Sequence, residues 1–243
     1  RSMSIIKTMR DGGADLIEPT AIIGFPTVGL VGSILSSYIC KEMKMDLVAG
    51  ITSGSLPPYA LISNGLPYPP IRLFGHKGSE PGGDILVVTS EVTPKPEDCY
   101  DMALKLLDVL QDMNVKRTYI LEGSSQNDTP KAVVCGTDDG ALEFVNGHGV
   151  SRLTDGLVRG ITGVMLYEGK EMKMDILALM CPANPNMPDP RASAAALELL
   201  SKMIPGLSVG TAPLLKEADE IEARIRDEMQ NAPLHDDSRN LYG

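Results

Sequence analysis

The sequence predicts an α/β fold of three layers, with helices on both faces of one sheet. Three observations lead there. Short apolar runs recur at residues 21–25, 47–51, 85–89, 118–121, 132–135, 163–167 and 176–179, most of them continuous rather than alternating. Strands of that kind are apolar on both sides and belong inside a layered sheet. Amphipathic helical segments alternate with them, the pattern of a layered α/β domain. Finally, 243 residues of which 43 % are hydrophobic suffice for a real core, which excludes disorder of the whole chain.

The elements follow in order. Residues 21–25 form a strand stopped by Pro26, and 28–39 continue with Leu30, Ile34 and Tyr38 at helical spacing, giving strand, tight turn and helix. Residues 56–72 hold Leu56-Pro57-Pro58 and Asn64-Gly65-Leu66-Pro67-Tyr68-Pro69-Pro70-Ile71-Arg72, a rigid, donor-poor stretch suited to a turn between strands or a contact surface. A helix over 96–113 puts Met102, Leu106, Val109, Leu110 and Met113 on one face and opens at Pro96-Glu97-Asp98. The next is capped by Asp189, has Pro190 at its first position, turns Leu197, Leu200 and Ile204 inward and stops at Pro205-Gly206. From Pro213 the chain is helical again, with Leu214, Ala218, Ile221, Ile225 and Met229 on one stripe and Glu220–Arg224 and Glu222–Arg226 as i, i+4 pairs, ending before Pro233. The expected organisation is a core over 3–212, an amphipathic helix over 213–232 packed on the core or in an oligomer interface, and a flexible tail over 233–243.

Composition limits function. With 22 Lys+Arg against 32 Asp+Glu the formal charge is −10, opposite to the footprint of a nucleic-acid binder. Aromatic residues are 4 % and Trp is absent, so stacking platforms are scarce. Cys40, Cys99, Cys135 and Cys181 form no C-x-x-C pair and read as free thiols of a cytoplasmic protein. Arg1-Ser2 reads as an addition before a start at Met3, with no secretory leader. The uncharged stretch 19–40 is broken by Pro26 and glycines, so no membrane span is expected.

Motifs for small-molecule chemistry are weak. Gly24, Gly29 and Gly32 stand where a nucleotide loop would, but Leu30-Val31 replace the Walker Lys-Ser/Thr and the dinucleotide spacing fails, so the glycines read as close helix–sheet packing. Glu91 and Glu122 follow predicted strands, where open sheets place ligand contacts, but without a neighbouring His or Lys each reads as a cap or solvated loop residue. His76, His148 and His235 match no metal-ligand spacing, and Gly123-Ser124-Ser125-Gln126 lacks the nucleophile elbow. No catalytic, cofactor or metal residues are therefore assigned. The terminal Leu241-Tyr242-Gly243 is the most informative short feature, since an apolar side chain, a tyrosine and a free carboxylate on a tether can dock as one plug.

Taken together, Gly24-Phe25-Pro26, Gly29-Leu30-Val31-Gly32, Leu56-Pro57-Pro58, the block from Asn64 to Arg72 and Asp189-Pro190-Arg191-Ala192 resemble the archaeal branch of the proteasome assembly chaperone family, homologous to the second eukaryotic assembly chaperone. The resemblance implies an α/β/α sandwich similar to the nucleoside phosphorylase fold, in a non-enzymatic, self-associating protein that assembles or binds the 20S proteasome. It also implies that a hydrophobic-Tyr-any end inserts between neighbouring α subunits of the ring, a pattern that Leu241, Tyr242 and Gly243 match. The fold analogy supports one rival, a small-molecule binder or phosphorylase-like enzyme with Gly24, Glu91 and the 181–190 loop around a crevice at the strand ends. Phosphorylases need convergent basic groups for phosphate, and those loops hold none beyond Lys95, which makes this rival the weaker reading. A third reading is an oligomeric scaffold whose terminal helices bundle together.

Overall fold

The computed structural model describes residues 4–6, 15–125 and 131–231. Strand β1 (Ser4–Ile6) precedes β2 (Thr20–Gly24), and a single 3-10 turn over Val28–Leu30 leads into α1 (Val31–Glu42). Next come β3 (Asp46–Thr52), β4 (Leu61–Ser63), β5 (Leu66–Tyr68), β6 (Ile71–His76) and β7 (Ile85–Ser90), then α2 (Cys99–Asp112) and β8 (Arg117–Ser125). The remainder is β9 (Val133–Gly136), α3 (Asp139–Gly147), β10 (Ser151–Arg152), α4 (Gly160–Glu171), β11 (Ile176–Ala183), α5 (Pro190–Met203) and α6 (Ala212–Asn231).

Among the described residues one nine-stranded sheet runs in the order β1-β3-β6-β7-β2-β8-β11-β9-β10, with β4 and β5 paired separately as a hairpin. The centre, β7-β2-β8-β11, is parallel, and antiparallel pairs flank it on both sides. Period-two alternation sorts the central strands into two cores. Ile22, Tyr119, Leu121, Leu177 and Leu179 pack with residues of α1, α3, α5 and α6. Ile23, Ile120 and Ala178, pointing the other way, pack with residues of α2 and α4. This is the expected three-layer α/β/α arrangement, and it explains why the central strands read as apolar throughout.

The elements depart from the sequence reading in four places. Residues 163–167, expected as a strand, lie inside α4. A short apolar run has no decisive period, and here Ile161 and Met165, four apart, turn inward while Tyr167 stays exposed. The 56–72 stretch holds the β4–β5 hairpin and the start of β6. Asn64 and Gly65 have φ of 50° and 77°, the left-handed pair of a type I′ turn whose twist matches its strands. Strand β8 runs to Ser125 rather than Leu121, because β11 pairs with it as far as Ala183 opposite Ser125. Helix α3, unmarked in the sequence reading, is capped by Asp138, whose Oδ1 accepts from Ala141 N at 2.9 Å.

Gly24, which ends β2, and Gly32 in α1 serve packing. A Cβ on Gly24 would lie 2.0 Å from the Gly32 carbonyl oxygen, and one on Gly32 would lie 2.8 Å from the Leu121 carbonyl oxygen, so α1 crosses the sheet nearly in backbone contact.

Asp189 acts as the expected cap and also as a tie. Its Oδ1 accepts from Ala192 N and its Oδ2 from Asn184 N, both at 2.9 Å. Its own N–H donates to the Gly29 carbonyl at 2.8 Å. Asp189→Ala is expected to lower stability by about 1–2 kcal/mol, measured by urea unfolding, since it leaves two N–H groups without their acceptor.

Candidate functional site

Parallel strands aim their carboxyl ends one way, and in an open sheet that end is where loops from different elements converge. Here the loop after β2 is clasped to its neighbours: Thr93 Oγ1 donates to the Pro26 carbonyl at 2.7 Å, and Gly123 N donates to Thr27 Oγ1 at 3.0 Å. Between this loop, the end of β8 and the 153–161 segment leading into α4 lies a crevice of about 710 Å³. Phe25, Pro26, Val158, Ile161 and Met180 supply apolar walls, and Glu122, Asp155 and Arg159 bring charge.

Glu122 is the chemically distinctive member. The alternation that sends Ile120 toward α2 and α4 sends Glu122 the same way, where Thr162 Oγ1, in the first turn of α4, donates to its Oε1. Burial pushes its carboxyl up to about 7, the Thr162 hydrogen bond only partly opposing that. Among the described residues it has no ion-pair partner. Glu122 was visible in the sequence at the end of a strand, but Gly123-Ser124-Ser125 after it has loop composition, which disguised a buried strand position. Nothing in the sequence pointed to Thr162 as its partner.

Other sequence candidates fall elsewhere. Glu91 is ion-paired with Arg72 at the neighbouring strand end and does not line the crevice. Gly24 is closed off by Gly32, and from the 181–190 loop none of the residues reaches the crevice walls. His76 ends β6, and His148 follows α3 with its Nδ1 2.8 Å from the Phe144 carbonyl. Cys40, Cys99 and Cys181 are buried and Cys135 half-buried, all as free thiols. No helix among the described residues is long and apolar enough to cross a membrane.

Helix α6 is the last described element. Leu214 and Ala218 bury against the core, and Arg191 of α5 reaches Asp219 at 2.8 Å and Glu222 at 3.0 Å. Glu222 thus serves α5 rather than the expected Arg226, and Arg224 donates to the Glu220 carbonyl oxygen at 3.4 Å. Leu241, Tyr242 and Gly243 lie outside the described residues.

The chain resembles the crystal structure of Pyrococcus furiosus PbaA, described as an archaeal homologue of proteasome-assembly chaperone, with 27 % identity, a TM-score of 0.81 and coverage of 95 % of this chain and 92 % of that one. Pyrococcus furiosus PbaB, described as an archaeal proteasome activator, shares the fold at 22 % identity and a TM-score of 0.80, covering 94 % and 99 % of the two chains. An uncharacterised protein of Methanocaldococcus jannaschii is 27 % identical over 210 residues, 86 % of this chain and 85 % of that protein. Residues 21–229, from the second residue of β2 nearly to the end of α6, match the PAC2 family. The chain belongs to the PAC2 family.

Proposed function

We propose that this protein is a non-enzymatic proteasome chaperone or adaptor that docks on the α ring of the 20S proteasome through Leu241, Tyr242 and Gly243. The supporting observation is the match to PbaA along nearly the whole chain, in a sequence that also ends in a hydrophobic-Tyr-any tripeptide. Chemistry makes the tail a suitable plug: Leu241 and Tyr242 fill an apolar slot, the phenol keeps a hydrogen bond at its rim, and the Gly243 carboxylate pairs with a basic residue of the socket. One such anchor binds weakly. Several anchors on a self-associated chaperone, facing a ring of equivalent sockets, gain from effective concentration, which is why the proposal includes a homo-oligomer with α6 as its candidate contact.

The test separates docking from folding. Tyr242→Ala is expected to weaken binding to immobilised archaeal 20S particles by about thirtyfold or more, the loss of a buried aromatic anchor, while the melting temperature stays unchanged. A fall in melting temperature that tracks the loss of binding would contradict the separation of tail from core.

A further inference from the structure

The strand-end crevice carries features that tail docking does not use. Its volume, about 710 Å³, is in the range of small-molecule pockets. Its walls are mainly apolar, and Leu157, 74 % exposed, stands uncovered at the same crevice. Glu122 brings one carboxyl to these walls, held by the Thr162 hydroxyl and, among the described residues, without a cation. A buried polar group on a mainly apolar wall gives a ligand orientation, while the apolar surface supplies affinity.

We propose that this crevice binds a small, flat organic molecule bearing an N–C–N edge, of the amidine or aminopyrimidine kind, which pairs at two points with Glu122. The apolar body lies against Phe25, Val158, Ile161 and Met180. Two coplanar carboxyl oxygens match two nitrogens one carbon apart, the geometry that makes carboxylate–guanidinium pairs bidentate. The pairing works in either protonation state: a carboxylate accepts from two N–H groups of an amidinium, and a carboxylic acid donates to a ring nitrogen while accepting from the adjacent amino group. Anionic ligands are disfavoured, because Glu122 and Asp155 are set against the one guanidinium of Arg159. This site is independent of the tail, so either can fail without the other.

The test uses the full chain with two probes, benzamidine and 2-aminopyrimidine. Methyl-labelled protein should show shifts of the Ile161 and Met180 methyls on titration with at least one probe at millimolar concentration. Glu122→Gln, which keeps the side-chain volume, should weaken that probe about tenfold or more, whereas Glu91→Gln, outside the crevice at the end of β7, should leave it unchanged. If neither probe moves those methyls, or if the shifts persist undiminished in a folded Glu122→Gln protein, the proposal is overturned. The wild-type methyl shifts keep the test decisive should Glu122→Gln fail to fold.

Discussion

Gly24→Ala is expected to destabilise the protein by about 3 kcal/mol or more, the upper end of what overpacking costs. For a chain of this length that is a fall of roughly 6–12 °C in melting temperature. The added Cβ would lie 2.0 Å from the Gly32 carbonyl oxygen, 2.5 Å from its carbon and 2.6 Å from Ser36 Oγ. Two of these three are backbone atoms inside a helix, so no rotamer change relieves the clash. Strand β2 is held by β7 on one side and β8 on the other, so α1 must lift, uncovering Val31, Leu35 and Ile39, which are fully buried. Gly54→Ala is the matched control. A Cβ there meets nothing within 4 Å, and its cost should stay within about 0.5 kcal/mol. Equal effects of the two substitutions in urea unfolding would contradict the close approach of α1 to the sheet.

Glu122→Gln is expected to stabilise the protein at pH 8 and to make no difference near pH 4.5. An unfolded glutamate loses its proton near 4.5, whereas burial holds the native Glu122 carboxyl up to about 7. Between those values the native state keeps a proton that the unfolded state has lost, so stability falls as pH rises through the window. The penalty is absent below 4.5 and complete above 7, where it reaches about 3 kcal/mol. The neutral glutamine has no such penalty. At pH 8 the variant should therefore be more stable than the parent, and near pH 4.5 the two should converge. Asp155 and Arg159 line the same crevice. The Cys135 thiol, pushed up by its burial and by the charge of Glu122, stays protonated through the window. Parallel stability curves for parent and variant between pH 4.5 and 8 would show that Glu122 is not buried as described.

Particular residues show how far the sequence could be read. The central strands and α5 were legible because their signals are local: continuous apolar runs, and Asp189-Pro190 opening a helix that Pro205-Gly206 closes. The glycines at 24 and 32 were legible as packing devices because the nucleotide-binding alternatives demand residues that are absent. Helix α4 was not, since residues 163–167 suit a strand until the positive φ of Gly160 and the burial of Ile161 and Met165 set the helical phase. Glu122 was located but its environment was hidden. Its depth comes from strand alternation and from Thr162, forty residues away in sequence, and no local pattern encodes such a contact. Glu91, of the same residue type just after β7, was equally conspicuous and proves to be an exposed partner of Arg72. The tail carries no periodicity, and its reading rests on the chemistry of three residues and on family resemblance, since Leu241, Tyr242 and Gly243 lie outside the described residues.

Native mass spectrometry of the full chain mixed with archaeal 20S proteasome or isolated α rings, with and without residues 241–243, tests the central claim most directly. The full chain should form a complex whose mass gives the number of bound subunits, and removal of Leu241, Tyr242 and Gly243 should abolish it while the truncated protein keeps its own oligomeric state. Equal binding by both forms would contradict the tail as the docking element, and binding by neither would contradict the proteasome α ring as the partner.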